Sequence, residues 1–407
     1  MKKLILTGVA CAMTSTAYAQ IESVIAVTTP NGLGQRVTQA VVNYPEKTCL
    51  TAVQKNDFSV TNRTITEAKL TEQKCANQVV LELDPQDVDA ATTEKDPDDR
   101  SAPYTERNIS LTVKQVNSLA SKSGKVKPSE LTGSKVINQV VDDFQQAEFK
   151  DQSGVVVKYN LFVPKNYDPN KSYPLVMFIH DAGSTNSNVK HTLLQGNGAT
   201  SFASPSFQAK HEAFVLAPQF DHQIVNDQSD DPEDLEPTIN LIKSLVKQYN
   251  IDQNRLYTTG QSGGAMMSIA MNIKHPDFFA ASYIVAGQWE PSVTAPMAKN
   301  NIFVLVSEND AKAFPTENAI MKVLAENGAT VKESHGWNAQ APVTELNEKV
   351  NALLAQGGNI HYASFTGGTL PLEQNSQNKG AAHMGTWGVA YNIDAIKEWL
   401  FSQHKNH

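Results

Sequence analysis

Leu256-Tyr257-Thr258-Thr259-Gly260-Gln261-Ser262-Gly263-Gly264-Ala265-Met266-Met267 is the stretch on which the fold turns. Its first half is strand-like and its second half helix-like, with one serine at the changeover. A serine wedged between strand and helix must sit on a tight, strained turn. Glycines two residues to either side keep that turn free of clashes. The same turn puts the hydroxyl at a helix N-terminus, where the dipole favours a developing negative charge. By composition alone a G-x-S-x-G pentapeptide arises by chance in about one chain in ten of this size, so its context decides. A nucleophilic Ser262 is the expectation; a plain turn with a capping serine is the alternative.

Outward from this turn the chain alternates. Upstream lie the strand-like Val155–Val163, the continuous apolar run Leu175–Ile179, and Phe214–Ala217, followed by a helix over Leu235–Tyr249. That helix carries Ile239, Ile242, Leu245 and Val246 at the 3-to-4 spacing of one buried face. Downstream come strands at Ala281–Val285 and Ile302–Val306, a helix over Thr316–Asn327 and a last helix over about Val389–Ser402. Strands alternating with helices imply an α/β fold, a mostly parallel sheet covered on both faces. Ligands of such sheets bind beyond the carboxyl ends of the strands.

A reactive serine needs a base and an acid, in the chain order serine, acid, histidine for this fold. His383, in the small-residue stretch Gly380–Trp387 expected as a loop, is the leading base. His361 and His335 are the alternatives: His361 reads most simply as an exposed edge residue, and His275 as a surface cap. The tail residues His404 and His407 count as one further candidate site. Asp310, at the end of the strand Ile302–Val306, is the expected acid, with Glu308 its near competitor. It would orient the imidazole and stabilise the imidazolium without taking the proton. Ile179-His180-Asp181-Ala182-Gly183 follows a buried strand, and Ala182 with Gly263 is expected to give the two N–H donors of an oxyanion hole. His180 is a substrate-binding candidate, although packing within its loop is the blander role. Trp289 could wall an acyl or aryl pocket or simply fill the core. No metal cluster, phosphate loop or redox pair stands out, so no cofactor and no metal are expected.

The beginning of the chain reads differently. Lys2 and Lys3, the apolar Leu4–Met13 and the small-residue site Ala17-Tyr18-Ala19 form a leader of the exported type over 1–19. Its apolar core is too short to span a bilayer, and the expected location is secreted or periplasmic. The 407 residues exceed one ordinary core. Residues 20–117 read as strands of an immunoglobulin-like sandwich, 118–142 as a Ser/Lys/Gly-rich linker, and 143–407 as the α/β domain. Asp84 to Arg100 reads as a solvated loop. With the leader gone, Cys49 and Cys75 remain and are expected to form one disulfide. Net charge is −8, and losing Lys2 and Lys3 makes it more acidic still. No basic cluster offsets it, so no nucleic-acid partner is expected.

Gly34–Thr38, Asp57–Val60, Asp143-Phe144, Tyr159–Pro164, Tyr173–His180, Arg255–Tyr257, the elbow, His383–Trp387 and Glu398–Phe401 together resemble a family. It comprises secreted bacterial α/β-hydrolase esterases with an N-terminal immunoglobulin-like domain, related to feruloyl esterases and polyhydroxyalkanoate depolymerases. The resemblance implies a Ser262, Asp310, His383 triad acting on a small-molecule or polymeric ester. The chain departs from the family at His180-Asp181 for the usual His-Gly, at Gly263 for a larger residue, and at Val306-Ser307 for His-Gly. Its segment from Trp337 to Gly358 is also longer than usual. The expected function is ester hydrolysis through an acyl-enzyme. A prolyl-oligopeptidase-like serine peptidase and a non-catalytic polymer-binding protein are the alternatives, the last motivated by Asp181.

Overall fold

A computed structural model describes residues 20–99, 102–375 and 380–405. The expected leader, Arg100 and His407 lie outside the described residues. Contacts between backbone positions divide the chain into two interleaved units. One holds the described residues up to Val27 with Thr38–Ala90 and Ile109–Val136; the other holds Thr28–Val37, Ala91–Asn108 and everything from Ile137.

The first unit is antiparallel β. Strands run in the order Lys135–Asn138, Ser23–Thr29, Arg36–Asn43, Gln78–Leu83, Ile65–Leu70 in one sheet, and Ser129–Gly133, Leu111–Gln115, Phe58–Val60 in another. Gln78–Leu83 alternates half-buried and buried residues along its length, the period-2 signature of a sheet with one face on a core. The buried Tyr44 hydroxyl donates to Gln115 Oε1 at 2.8 Å, satisfying two polar groups that burial would otherwise penalise. Cys49 and Cys75 are disulfide-bonded across 26 residues, a loop whose closure stabilises by roughly 3 kcal/mol in the chain-entropy model. Residues 118–142, expected as a linker, are instead strands Leu119–Ser121, Gly124–Val126, Ser129–Gly133 and Lys135–Asn138. Lys122, Ser123, Gly124, Lys125 and Lys127 are exposed, so composition there imitates a linker. The acidic run from Asp84 reaches into the second unit, where it contains a short strand, Thr93–Glu94, paired with Thr105–Glu106.

The second unit is built on a nine-stranded sheet. Its strands are β1 (Gln145–Lys150), β2 (Val156–Phe162), β3 (Tyr173–Ile179), β4 (Phe214–Gln219), β5 (Ile251–Gln261), β6 (Ala281–Val285), β7 (Ile302–Ser307), β8 (Val331–Trp337) and β9 (Ile360–Phe365). The spatial order is β1-β2-β4-β3-β5-β6-β7-β9-β8, antiparallel at β1, β2 and β4 and parallel from β4 onward. All seven residues of β3 are buried, as a strand covered on both faces requires. Helices α1 (Leu235–Gln248), α2 (Gly263–Lys274), α3 (Ala313–Glu326), α4 (Val343–Leu354), α5 (Ala381–Ala390) and α6 (Asp394–Ser402) supply the covers. The two resulting cores hold such residues as Met177, Leu216 and Ile239 in one and Phe178, Val215 and Tyr283 in the other. The architecture is an α/β-hydrolase sheet with a separate all-β sandwich.

Three local expectations change. The final helix is two, α5 and α6, and His383 lies in the first turn of α5 rather than in a loop. The segment beyond Trp337 contains α4, and β8 precedes it where no strand was expected. Because β8 covers β9, His361 is not an exposed edge residue; it is buried and stacked on Phe303. Among the described residues no helix is long and apolar enough to cross a membrane.

Candidate active site

Ser262 ends β5 and begins α2 with φ 51° and ψ −118°, a conformation that costs an L-residue about 1–3 kcal/mol. The glycines around it are sterically required. A Cβ on Gly260 would lie 2.3 Å from the Gly264 carbonyl carbon, and one on Gly264 would lie 1.9 Å from the Ile179 oxygen. The turn therefore packs backbone against backbone at the carboxyl ends of β3 and β5. Ser262 is anchored from both sides, its N–H donating to Val285 O and its carbonyl accepting from Met266 N.

His383 reaches this serine from α5. Its Nε2 lies 2.7 Å from Ser262 Oγ, and its Nδ1 lies 2.5 Å from Asp310 Oδ2. The Trp387 ring meets the imidazole edge-on at 5.1 Å, one helical turn along α5. Asp310 follows β7 and is 4% exposed. Its Oδ1 accepts from the backbone N–H groups of Lys312 and Ala313 at 3.2 and 3.0 Å. Burial alone would raise this carboxyl. The His383 hydrogen bond and charge, with the two N–H groups, outweigh burial and hold it below the usual range. The competing acid is occupied elsewhere: Glu308 Oε1 accepts from Ser364 Oγ and Gly336 N. His335 bonds Ser364, and His275 bonds Glu236.

The loop after β3 lies beside the serine. The Ala182 nitrogen is 3.3 Å from where a Gly263 Cβ would stand. His180 is not on the cleft wall. It is 2% exposed, its Nδ1–H donates to Asp181 O at 2.7 Å, and its Nε2 accepts from Phe220 N at 3.1 Å. Burial pushes the imidazole's pKa down, consistent with a neutral ring that ties the loop to β4. Asp181, the unusual residue of this loop, turns inward: its Oδ2 accepts from Ser184 Oγ at 2.8 Å and from Gln261 Nε2 at 2.9 Å. It thereby pins the loop to the residue before Ser262, instead of offering a charge to the cleft.

A cavity of about 660 Å³ is lined by Ser262, His383, Asp310, Ala182 and Gly263. Trp289 is not part of it. The tryptophan, 6% exposed, lines a neighbouring cavity of about 430 Å³. Sequence reasoning missed Asp227, Gln288 and Lys312 at the shared rim, because polar loop residues carry no periodicity. It also missed Glu317, for which a signal exists. Glu317 stands in the apolar stripe of α3 with Ala313, Ile320, Met321 and Leu324, where a solvated acid has no place.

Glu317 is 1% exposed, and its Oε1 has no hydrogen-bond partner. Burial, with the Asp310 charge added, pushes its carboxyl from the ordinary value of 4.5 up to about 8. The folded chain thus keeps a proton that the unfolded chain releases above about pH 4.5. Stability falls as pH rises across that window, by up to about 1.4 kcal/mol per pH unit. Glu317→Gln is expected to flatten this slope and to stabilise by a few kcal/mol near pH 8. Urea midpoints measured from about pH 5 to about pH 8 check it; parallel curves for wild type and variant would refute the assignment.

Comparison with known proteins agrees with this architecture. Residues 23–128 match a family model described as the esterase Ig-like N-terminal domain, and residues 222–295 match the prolyl oligopeptidase family. Acetylxylan esterase A of Emericella nidulans is 44% identical over 48 residues, which are 12% of this chain and 16% of that protein. A probable acetylxylan esterase A of Aspergillus flavus aligns with the same identity and coverage. The chain thus spans about a sixth of the length of the curated relatives it matches. A solved thermostable esterase superposes with a TM-score of 0.77 at 27% identity, covering 94% of this chain and all of the other. Over residues 23–128 the chain is thus similar to esterase Ig-like N-terminal domains, and over nearly all of its length its fold is similar to that of a solved esterase.

Proposed function

We propose that the protein hydrolyses carboxylic esters, with Ser262 as nucleophile, His383 as general base and acid, and Asp310 orienting the imidazole. The observation that carries this reading is the unbroken contact from Asp310 Oδ2 through His383 to Ser262 Oγ, at a strained turn opening on a cavity. As Oγ attacks the ester carbonyl, its proton moves to His383 Nε2. The imidazolium is held by Asp310, and the carbonyl oxygen's negative charge falls to the N–H groups of Ala182 and Gly263. Collapse expels the alcohol, which takes the proton from Nε2 and leaves an acyl-Ser262. A water molecule then repeats the sequence and releases the acid. Export, on the strength of the leader-like residues 1–19, is part of the same proposal, and the Cys49–Cys75 disulfide is consistent with an oxidising compartment.

The test is covalent labelling. A fluorophosphonate probe is expected to modify Ser262 stoichiometrically in the wild type, which also turns over short-chain aryl esters. Ser262→Ala is expected to do neither, and residual turnover equal to wild type would remove the assignment. The prolyl-oligopeptidase match over 222–295 favours a second reading, hydrolysis of peptide amides by the same residues. Turnover of peptide anilides exceeding that of matched esters would select it.

A further inference from the structure

The loop 221–234 between β4 and α1 is strapped across the cleft at three points. Asp227 Oδ1 accepts from Gln288 Nε2 at 2.7 Å, Asp227 Oδ2 pairs with Lys312 Nζ at 2.5 Å, and the Glu290 N–H donates to Ser229 Oγ at 2.9 Å. Asp227, Gln288 and Lys312 line both the cavity at Ser262 and the cavity at Trp289. The bridged carboxylate therefore stands where the two compartments meet. The compartments also differ in chemistry. Ser262, His383, Ala182 and Gly263 line only the first, and Trp289, Pro291, Pro315 and Thr316 line only the second.

We propose that the Trp289 compartment receives the far end of the substrate's acyl group, and that Asp227 is a specificity-determining latch on the way to it. This rests on the ester-hydrolase reading above and names the substrate class: esters whose acyl group extends several carbons beyond the carbonyl. The assignment to the acyl side follows from the proton path. The departing alcohol oxygen must lie beside His383 Nε2, so the alcohol takes the side of the cleft lined by His383 and Gly380. The Trp289 compartment is lined by neither residue, nor by the oxyanion donors. An acetyl group ends before the latch, whereas a longer acyl chain has to pass it. Asp227 and Lys312 are 55% and 67% exposed in their side chains, so their pairing is weak enough to open.

The experiment reads the ratio of kcat/KM for a 4-nitrophenyl octanoate over 4-nitrophenyl acetate. Asp227→Ala removes both tethers and is expected to raise that ratio about fivefold, the size a weak exposed ion pair permits. Thr316→Trp fills the outer compartment and is expected to lower it by a similar factor. Either variant failing to move the ratio in its direction overturns the proposal. A wild type that turns over neither ester would instead bring down the ester-hydrolase reading beneath it.

Discussion

His383→Ala is expected to lower kcat by about 10⁴-fold or more, Asp310→Asn by about 10⁴-fold, and the double variant hardly further than His383→Ala alone. The near-saturation follows from geometry, since Asp310 touches the serine only through the imidazole. The Asp310→Asn loss has a cause specific to this site. Oδ1 is fixed as an acceptor by the N–H groups of Lys312 and Ala313, so an asparagine amide must place its oxygen there. Its NH₂ then faces His383 Nδ1 and can only donate. The imidazole is forced to carry its proton on Nε2, pointing at Ser262, and can no longer accept one. Steady-state turnover and fluorophosphonate labelling rates on folded variants check this, with folding verified by circular dichroism. An Asp310→Asn protein within tenfold of wild type would mean that Asp310 does not set the tautomer.

Much of this site was legible because sterics and hydrogen bonding leave few options. Gly260 and Gly264 bracket a serine because backbone meets backbone there, and no other residue type fits. Asp310 and Glu308 looked alike in the sequence because both follow β7 within three residues. Only tertiary partners separate them, Ser364 on β9 and Gly336 on β8 for one, His383 for the other. The loop expected around His383 rested on the small residues of Gly380–Trp387, among them Gly380 and Gly385, and glycine weakens a helix. Packing overrides propensity here: a Cβ on Gly385 would stand only 3.2 Å from Leu370 Cβ, so glycine permits close approach inside a helix. The strand β8 escaped notice because Lys332, Glu333, Ser334 and His335 are polar, as an edge strand tolerates. Its absence from the reading is also why His361 was placed on an edge it does not occupy.

Gly264→Ala is the second large effect, and it separates the turn from the residues that do chemistry. The added Cβ would meet Ile179 O at 1.9 Å, Ile179 C at 2.5 Å and His180 O at 2.8 Å. All three atoms are backbone at the end of a wholly buried strand, so neither partner can yield by rotating a side chain. The elbow helix must move off β3, which is expected to cost about 3 kcal/mol or more in a urea titration. The displacement acts on catalysis as well, because Ala182 follows His180 by two residues and its N–H must stay aligned with that of Gly263. Losing one oxyanion donor is worth about 10²–10³ in rate, and a loss of that order is expected in kcat with KM changed little. Gly263→Ala supplies the contrast. Its Cβ would stand 3.3 Å from Ala182 N and 3.5 Å from a Val225 methyl, distances that a shift of a few tenths of an ångström relieves. The same one-methyl addition at adjacent positions should therefore differ sharply in both stability and kcat. Equal losses at the two positions would mean that the contact between the elbow and the end of β3 does not hold the oxyanion donors in place.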